Sequence, residues 1–138
     1  MLLKLNKITI DLSHYIPSHP KCGRLHGHTY FIKKLKIDIT NETMDKETGY
    51  CIDLGEIKAY FKENWDHILL VPTRHEHIWQ KAKILVANEC VLDIKSIENT
   101  SVEEIAMTIK RELATKFDLD EECVHFTIYE GDNQGVSI

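Results

Sequence analysis

Residues 26–39, HGHTYFIKKLKIDI, read as one long β-strand. Side chains alternate faces along a strand, so residues two apart share a face. The odd positions Phe31, Leu35, Ile37 and Ile39 are expected to form the core face, and the even positions carry His26, His28, Tyr30 and Ile32. Upstream, ITIDLSH at residues 8–14 alternates in the same way: Ile8, Ile10 and Leu12 are apolar, and His14 falls in their phase. Pro17, Pro20 and Gly23 lie between the two runs, where they break a ladder and permit a turn. Antiparallel pairing of these strands would carry three imidazoles to one end of the pair.

Working outward, a turn is expected around 41–49 and a short strand at 50–52. Asp53 reads as a helix N-cap, with Glu56 placed to close a capping box. Ile57, Phe61 and Trp65 then recur at helical spacing. Beyond Asp66-His67, residues 84–86 and 91–94 read as a small hairpin across Asn88-Glu89. A second helix starts near Ser101, with Glu103 and Glu104 favourably placed against its N-terminal dipole and Ile105, Ile109, Leu113 and Phe117 as its buried stripe. Strands at 124–129 and 135–138 close the chain. The expected plan is α+β, in the order ββααββ, with residues 1–138 forming one domain.

Composition narrows the function. A net charge of −5 argues against a nucleic-acid coat, which needs a basic surface to neutralise phosphates. Lys21, Arg24, Lys33, Lys34 and Lys36 form a local positive cluster, suited either to a phosphorylated small molecule or to a solvated strand face. Cys22, Cys51, Cys90 and Cys123 are widely spaced with no C-x-x-C pair, the pattern of a reducing compartment. The first twenty residues hold no apolar run long enough for a signal peptide or membrane span, so a cytoplasmic location is expected.

The histidines are the strongest chemical signal. His26 and His28 point the same way, about 7 Å apart along the backbone, and His14 on the paired strand would complete a three-histidine site. Three histidines with one open position is the arrangement of catalytic zinc. Gly27 between them leaves the other side open to close approach. Cys22 has three readings: a small buried hydrophobe, a thiolate activated beside a cation, or a fourth ligand that closes the site. Asp66-His67 is either a surface pair or a base with its orienting carboxylate. Glu130 continues the apolar phase of Val124, Phe126 and Ile128, so it either reaches water at the rim or recognises a ligand.

The run Cys22-Gly23-Arg24-Leu25-His26-Gly27-His28-Thr29-Tyr30 closely resembles the core motif of the 6-pyruvoyltetrahydropterin synthase family. Its C-x-x-x-H-G-H spacing is most similar to the 6-carboxy-5,6,7,8-tetrahydropterin synthase branch, which makes a precursor of queuosine-type tRNA bases. His14, the segment Thr48-Gly49-Tyr50-Cys51-Ile52-Asp53-Leu54, Asp66-His67, Ser101-Val102-Glu103 and Glu130 match further family positions in order. Thr100-Ser101-Val102 departs from the usual Pro-Thr before the second-helix glutamate, and residues 71–97 match only loosely.

The resemblance implies a tunnelling fold (T-fold) with a four-stranded antiparallel sheet, two helices on one face, and sheets joined into a barrel in a homohexamer of two trimers. It implies Zn2+ on His14, His26 and His28, with Cys22, Asp66 and His67 catalytic and Glu130, Ser101 and Glu103 binding a small pterin substrate. The implied reaction converts 7,8-dihydroneopterin triphosphate to 6-carboxytetrahydropterin, releasing triphosphate and acetaldehyde. Elimination of triphosphate alone, giving the pyruvoyl product, and a noncatalytic zinc- or pterin-binding role are the alternatives. No nucleic-acid or membrane partner is expected.

Overall fold

A computed structural model describes residues 1–39 and 44–138. Strand β1 (Leu2–His14) and strand β2 (His26–Asp38) pair antiparallel over their full lengths, with Leu2 opposite Asp38 and His14 opposite His26. Helix α1 (Leu54–Asn64) follows, then β3 (Ile68–Pro72), α2 (Glu76–Leu85), β4 (Ile94–Ile97), α3 (Val102–Lys116), β5 (Val124–Glu130) and β6 (Gln134–Ser137). The sheet runs β4-β3-β1-β2-β5-β6, so its edges are β4 and β6.

The α+β plan holds, but among the described residues with six strands and three α-helices rather than four and two. The central pairings are antiparallel as expected, whereas β3 runs parallel to β1 and β4 parallel to β3, making the sheet mixed. The expected hairpin of 84–86 with 91–94 does not form. Residues 84 and 85 end α2, and the strand begins only at Ile94, beside β3. An apolar run this short cannot distinguish strand from helix by periodicity, and the neighbouring strand decides. Residues 50–52 are likewise a bend rather than a strand, although Cys51 and Ile52 still pack against the core. Of the expected turn at 41–49, residues 41–43 lie outside the described residues. Asp45 anchors the remainder by accepting from the Thr48 N–H and hydroxyl, and Gly49 takes φ +73.

The phase of β2 is a further correction. Tyr30 and Ile32 are buried, then Leu35, Ile37 and Ile39, while Phe31 is only half-buried on the other face. The switch falls at Lys34, which takes φ +54. Against β5 the register slips by one residue between Lys33 and Lys36. An inserted residue of this kind is a β-bulge, and it moves every following side chain to the opposite face. β1 changes phase at the same level: Leu3 and Leu5 pack inward before it, and Ile8, Ile10 and Leu12 after it. On the open face Lys7 and Lys33 lie 4.8 and 5.6 Å from the centre of the Phe31 ring, with Lys33 also 4.8 Å from the Tyr129 ring. For Lys33, the solvated strand face is therefore the reading that fits.

Helices α1 and α3 cover the buried face. The carboxylate of Asp53 caps α1 by accepting from the Gly55 N–H at 2.7 Å, and Ser101 Oγ caps α3 by accepting from the Glu104 N–H at 3.3 Å. Ile57 and Phe61, with Ile105, Ile109 and Leu113, point into the core as their spacing predicts. α2 buries no residue fully; it packs against β3 and β4. Trp65, the C-cap residue of α1, is completely buried, and its indole N–H donates to Tyr60 Oη at 2.8 Å and to Glu112 at 3.1 Å. Trp65→Ala is expected to cost about 3–5 kcal/mol, because it opens a cavity and strips partners from a buried phenol. Equilibrium denaturation in urea measures this. No described helix is long and apolar enough to cross a membrane.

Candidate metal centre and active site

The β1–β2 register brings the three histidines together. His14 and His26 are direct cross-strand partners, and His28, opposite Leu12, lies diagonal to His14 on the same face. Ring centroids are 4.7 Å apart for His14–His26, 4.8 Å for His26–His28 and 5.3 Å for His14–His28. One ligand atom from each lies within 4.8 Å of the others.

In two of the three the second nitrogen is spoken for. His14 Nδ1 lies 2.8 Å from the Thr100 carbonyl and His26 Nδ1 2.5 Å from the Arg24 carbonyl. A carbonyl only accepts, so each Nδ1 carries the proton and each Nε2 keeps its lone pair. This is how an imidazole is oriented for a metal. His28 Nε2 is buried with no hydrogen-bond partner among the described residues; Glu130 Oε1 stands 3.3 Å away but out of alignment. Burial holds the pKa of His14 below the ordinary imidazole value, outweighing the upward pull of the Thr100 carbonyl and Glu130. His14 is thus held neutral, the form that ligates. Three converging imidazole nitrogens, one of them orphaned, fit a divalent metal such as zinc.

Glu130 ends β5 beside this cluster, as its phase implied. It accepts from Tyr30 Oη at 2.9 Å through Oε2 and from Gln134 Nε2 at 3.1 Å through Oε1. Tyr30 is fully buried, with its hydroxyl 3.4 Å from His14 Nε2. Burial first, then Glu130 and the nearby Cys22, raise its pKa well above the ordinary phenol value, so it stays a donor.

Cys22 is a half-buried free thiol in the loop before His26 and is outside the three-ligand group. The loop is built around His19, whose Nδ1 accepts from the N–H groups of Cys22 (2.9 Å) and Lys21 (3.3 Å). At Gly23 a Cβ would sit 2.6 Å from the His19 carbonyl, so only glycine fits there. A Cβ on Gly27 would meet nothing closer than 3.4 Å, so that glycine is not sterically required.

Asp66 and His67 stand together but away from the thiol. β3 aligns Ile68 with Leu12, which sets Asp66-His67 beside Asp11. Asp66 Oδ1 accepts from the Asp11 N–H at 2.8 Å, and Oδ2 lies 3.0 Å from His67 Nδ1. Burial opposes ionisation of Asp66, but the Asp11 N–H, His67 and Lys62 together hold its pKa below the usual carboxyl value. Asp11 and Thr29, joined by a 2.5 Å hydrogen bond, alternate with Leu12 and His28 and therefore point to the opposite, open face. Asp66, His67 and Asp11 gather on that face, and a cavity of about 590 Å³ is lined there by Asp11, Gly27, Thr29 and His67 and also by Leu12 and His28. Among the described residues no hydrogen bond or ion pair joins Asp66 or His67 to Cys22 or to the three histidines.

Ser101 spends its hydroxyl on the helix cap, and Glu103 is exposed in the first turn of α3. Thr100, immediately before them, is the residue that reaches the cluster: buried, it receives His14 on its carbonyl and donates its hydroxyl to the Tyr15 carbonyl. The sequence reading missed Thr100, His19 and Gln134 as site residues. The first acts through its backbone carbonyl, which leaves no side-chain signature, and the other two depend on contacts that only folding creates.

Fold and site together define an α+β protein with three histidines gathered at one end of its central strand pair, in an arrangement that could hold a metal ion. The chain belongs to the family described as 6-pyruvoyl tetrahydropterin synthase, which it matches over residues 5–138. It is 34% identical over 121 residues to the 6-carboxy-5,6,7,8-tetrahydropterin synthase of Rickettsia bellii, covering 84% of this chain and 83% of that protein. It is also 34% identical over 70 residues to the Bacillus subtilis protein of the same name, covering 49% and 45% of the two chains. Among solved structures, the 6-pyruvoyl tetrahydropterin synthase of Plasmodium falciparum superposes with a TM-score of 0.60 at 16% identity, over 100% of this chain and 96% of that one. At that identity the superposition speaks for the fold alone.

Proposed function

We propose that this protein is a zinc-dependent lyase that converts 7,8-dihydroneopterin triphosphate and one water to 6-carboxy-5,6,7,8-tetrahydropterin, triphosphate and acetaldehyde, in the branch that supplies queuosine-type tRNA bases. The observation that carries this reading is the convergence of His14, His26 and His28 on one point, with the orphaned Nε2 of His28 beside Glu130. The name of the Rickettsia bellii relative, at 34% identity over most of both chains, supports the carboxy product over the pyruvoyl one. Zinc bound there supplies Lewis-acid polarisation of the substrate's side-chain hydroxyls.

The chain's own residues do the rest. Cys22, in a loop that His19 holds against the metal site, exchanges protons at the side-chain carbons. His67, oriented by Asp66, is the second acid–base group. Glu130, with a donor on each oxygen, accepts from the ring's amino and N–H groups. Asp66-His67 lies on the face opposite the histidines, so a complete site requires that pair from a neighbouring chain. This requirement, and the open sheet edges at β4 and β6, support assembly into the homohexamer of two trimers expected from the family, with the sheets continuing into a barrel.

Thr100-Ser101-Val102 stands where the family usually has Pro-Thr before the second-helix glutamate. That observation favours, as the second reading, a relative that binds zinc and pterin without turnover. Mass spectrometry of the products from 7,8-dihydroneopterin triphosphate separates the readings: the carboxy product with acetaldehyde supports the proposal, the pyruvoyl product shifts it to triphosphate elimination, and unchanged substrate supports the binding protein. Glu130→Gln replaces one acceptor oxygen with a donor, and should weaken pterin binding by about 1–3 kcal/mol while leaving zinc content unchanged. Calorimetric titration with 7,8-dihydroneopterin, alongside metal analysis, reads both quantities.

A further inference from the structure

The carboxylate of Glu130 is gripped from two sides along a single row of the sheet. Tyr30 pairs with Glu130 across β2–β5, and Glu130 pairs with Gln134 across β5–β6, closing the hairpin whose turn Gly131 permits at φ +67. Cross-strand partners project to one face with Cβ atoms about 4.5–5.5 Å apart, so the three side chains stand side by side. Tyr30 donates to Oε2 at 2.9 Å and Gln134 Nε2 donates to Oε1 at 3.1 Å. The other neighbour of the Tyr30 hydroxyl, His14 Nε2 at 3.4 Å, is itself an acceptor, so the single phenolic proton goes to Glu130.

A glutamate's terminal torsion is broad, and a carboxylate left alone presents no fixed plane. Two donors on separate oxygens remove that freedom. An ionised carboxylate offers about four lone-pair sites, and two of them are used here. His28 Nε2 stands 3.3 Å from Oε1 without a hydrogen bond, so each oxygen keeps an acceptor site, and two such sites on one carboxylate complement two adjacent N–H donors. We propose that Tyr30 and Gln134 are positioning residues that hold the plane of Glu130, so that its free lone pairs meet the adjacent N–H donors of a pterin or similar aminopyrimidinone ring. The inference rests on the reading of Glu130 as the ring's anchor. Tyr30, with none of its surface exposed, gives the row a rigid end; exposed Gln134 gives it an adjustable one.

The test is a double-mutant cycle read by fluorescence titration of the zinc-loaded protein with 7,8-dihydroneopterin. Tyr30→Phe should weaken binding by about tenfold, the effect of losing one hydrogen bond to a charged group, and Gln134→Ala by roughly threefold. In the Glu130→Gln background neither substitution should change affinity by more than about twofold, because both act through that carboxylate. Binding of the 2-oxo analogue dihydrolumazine, which lacks the amino donor, should suffer less from Tyr30→Phe than binding of the pterin does. Equal losses in both backgrounds, or no loss where Glu130→Gln itself weakens binding, would overturn the positioning role. If Glu130→Gln leaves affinity intact, the anchor reading falls and this inference falls with it, a pattern distinct from the first two. Zinc content and thermal midpoint report whether Tyr30→Phe folds; should it not, exposed Gln134→Ala decides the outcome.

Discussion

His28→Ala should strip the protein of zinc and of turnover together. His28 is the histidine whose buried Nε2 has no hydrogen-bond partner among the described residues, so a metal is the partner that best accounts for it. Loss of an outer-shell contact costs up to about 100-fold in metal affinity, and loss of a direct ligand should exceed that. The change also has a thermodynamic readout that needs no substrate. A ligand at 100 times its Kd stabilises the folded state by about 2.7 kcal/mol, so zinc should raise the thermal midpoint of the parent and leave that of His28→Ala nearly unmoved. Equal zinc-induced shifts in the two proteins would remove His28 from the metal site.

Cys22→Ala should retain one zinc per chain yet lose about 10²–10⁴ in turnover, the span of general acid–base catalysis. His67→Ala should do the same. Because Cys22 belongs to the loop before the histidines and Asp66-His67 to the opposite face of the sheet, the proposed site draws them from different chains. Unfolding the two inactive variants together and refolding them as a mixture should therefore restore activity. With random assembly, about a quarter of the sites would pair an intact thiol with an intact histidine across a head-to-tail contact. If the mixture stays inactive while the parent survives the same treatment, the two groups serve one chain or the assignment of His67 fails. Co-elution of the variants as one oligomer checks that they mixed.

The histidine cluster was legible from spacing because strand geometry is periodic. His26 and His28 must share a face, and His14 joins them once the strands turn back on each other. The same periodicity placed Glu130 in the apolar phase of its strand, whereas it put Tyr30 on the face opposite the expected core, and the structure buries it. The helices α1 and α3 were legible for a similar reason: Asp53 and Ser101 satisfy N–H groups within their own first turns, and Ile105, Ile109 and Leu113 repeat along one side. Each of these signals is local, carried by residues a few positions apart.

Other features depended on neighbours distant in sequence. Lys34 at φ +54 carries no mark that a bulge falls there, yet that one residue puts Phe31 on the face opposite Leu35, Ile37 and Ile39. The apolar residues near 84–97 fit helix or strand equally well until β3 supplies a parallel partner for Ile94–Ile97. Asp66-His67 stood out as a pair, but which side of the sheet it occupies follows from the alignment of Ile68 with Leu12, set by the crossover through α1. Thr100 reaches His14 with a backbone carbonyl, a group every residue possesses, and Gln134 reaches Glu130 only because a hairpin closes between them. Sequence alone determined which groups could carry metal and acid–base chemistry, since those are properties of side chains at fixed spacing. Tertiary structure decided which of them meet, because pairing between distant strands is settled by the packing of the whole sheet.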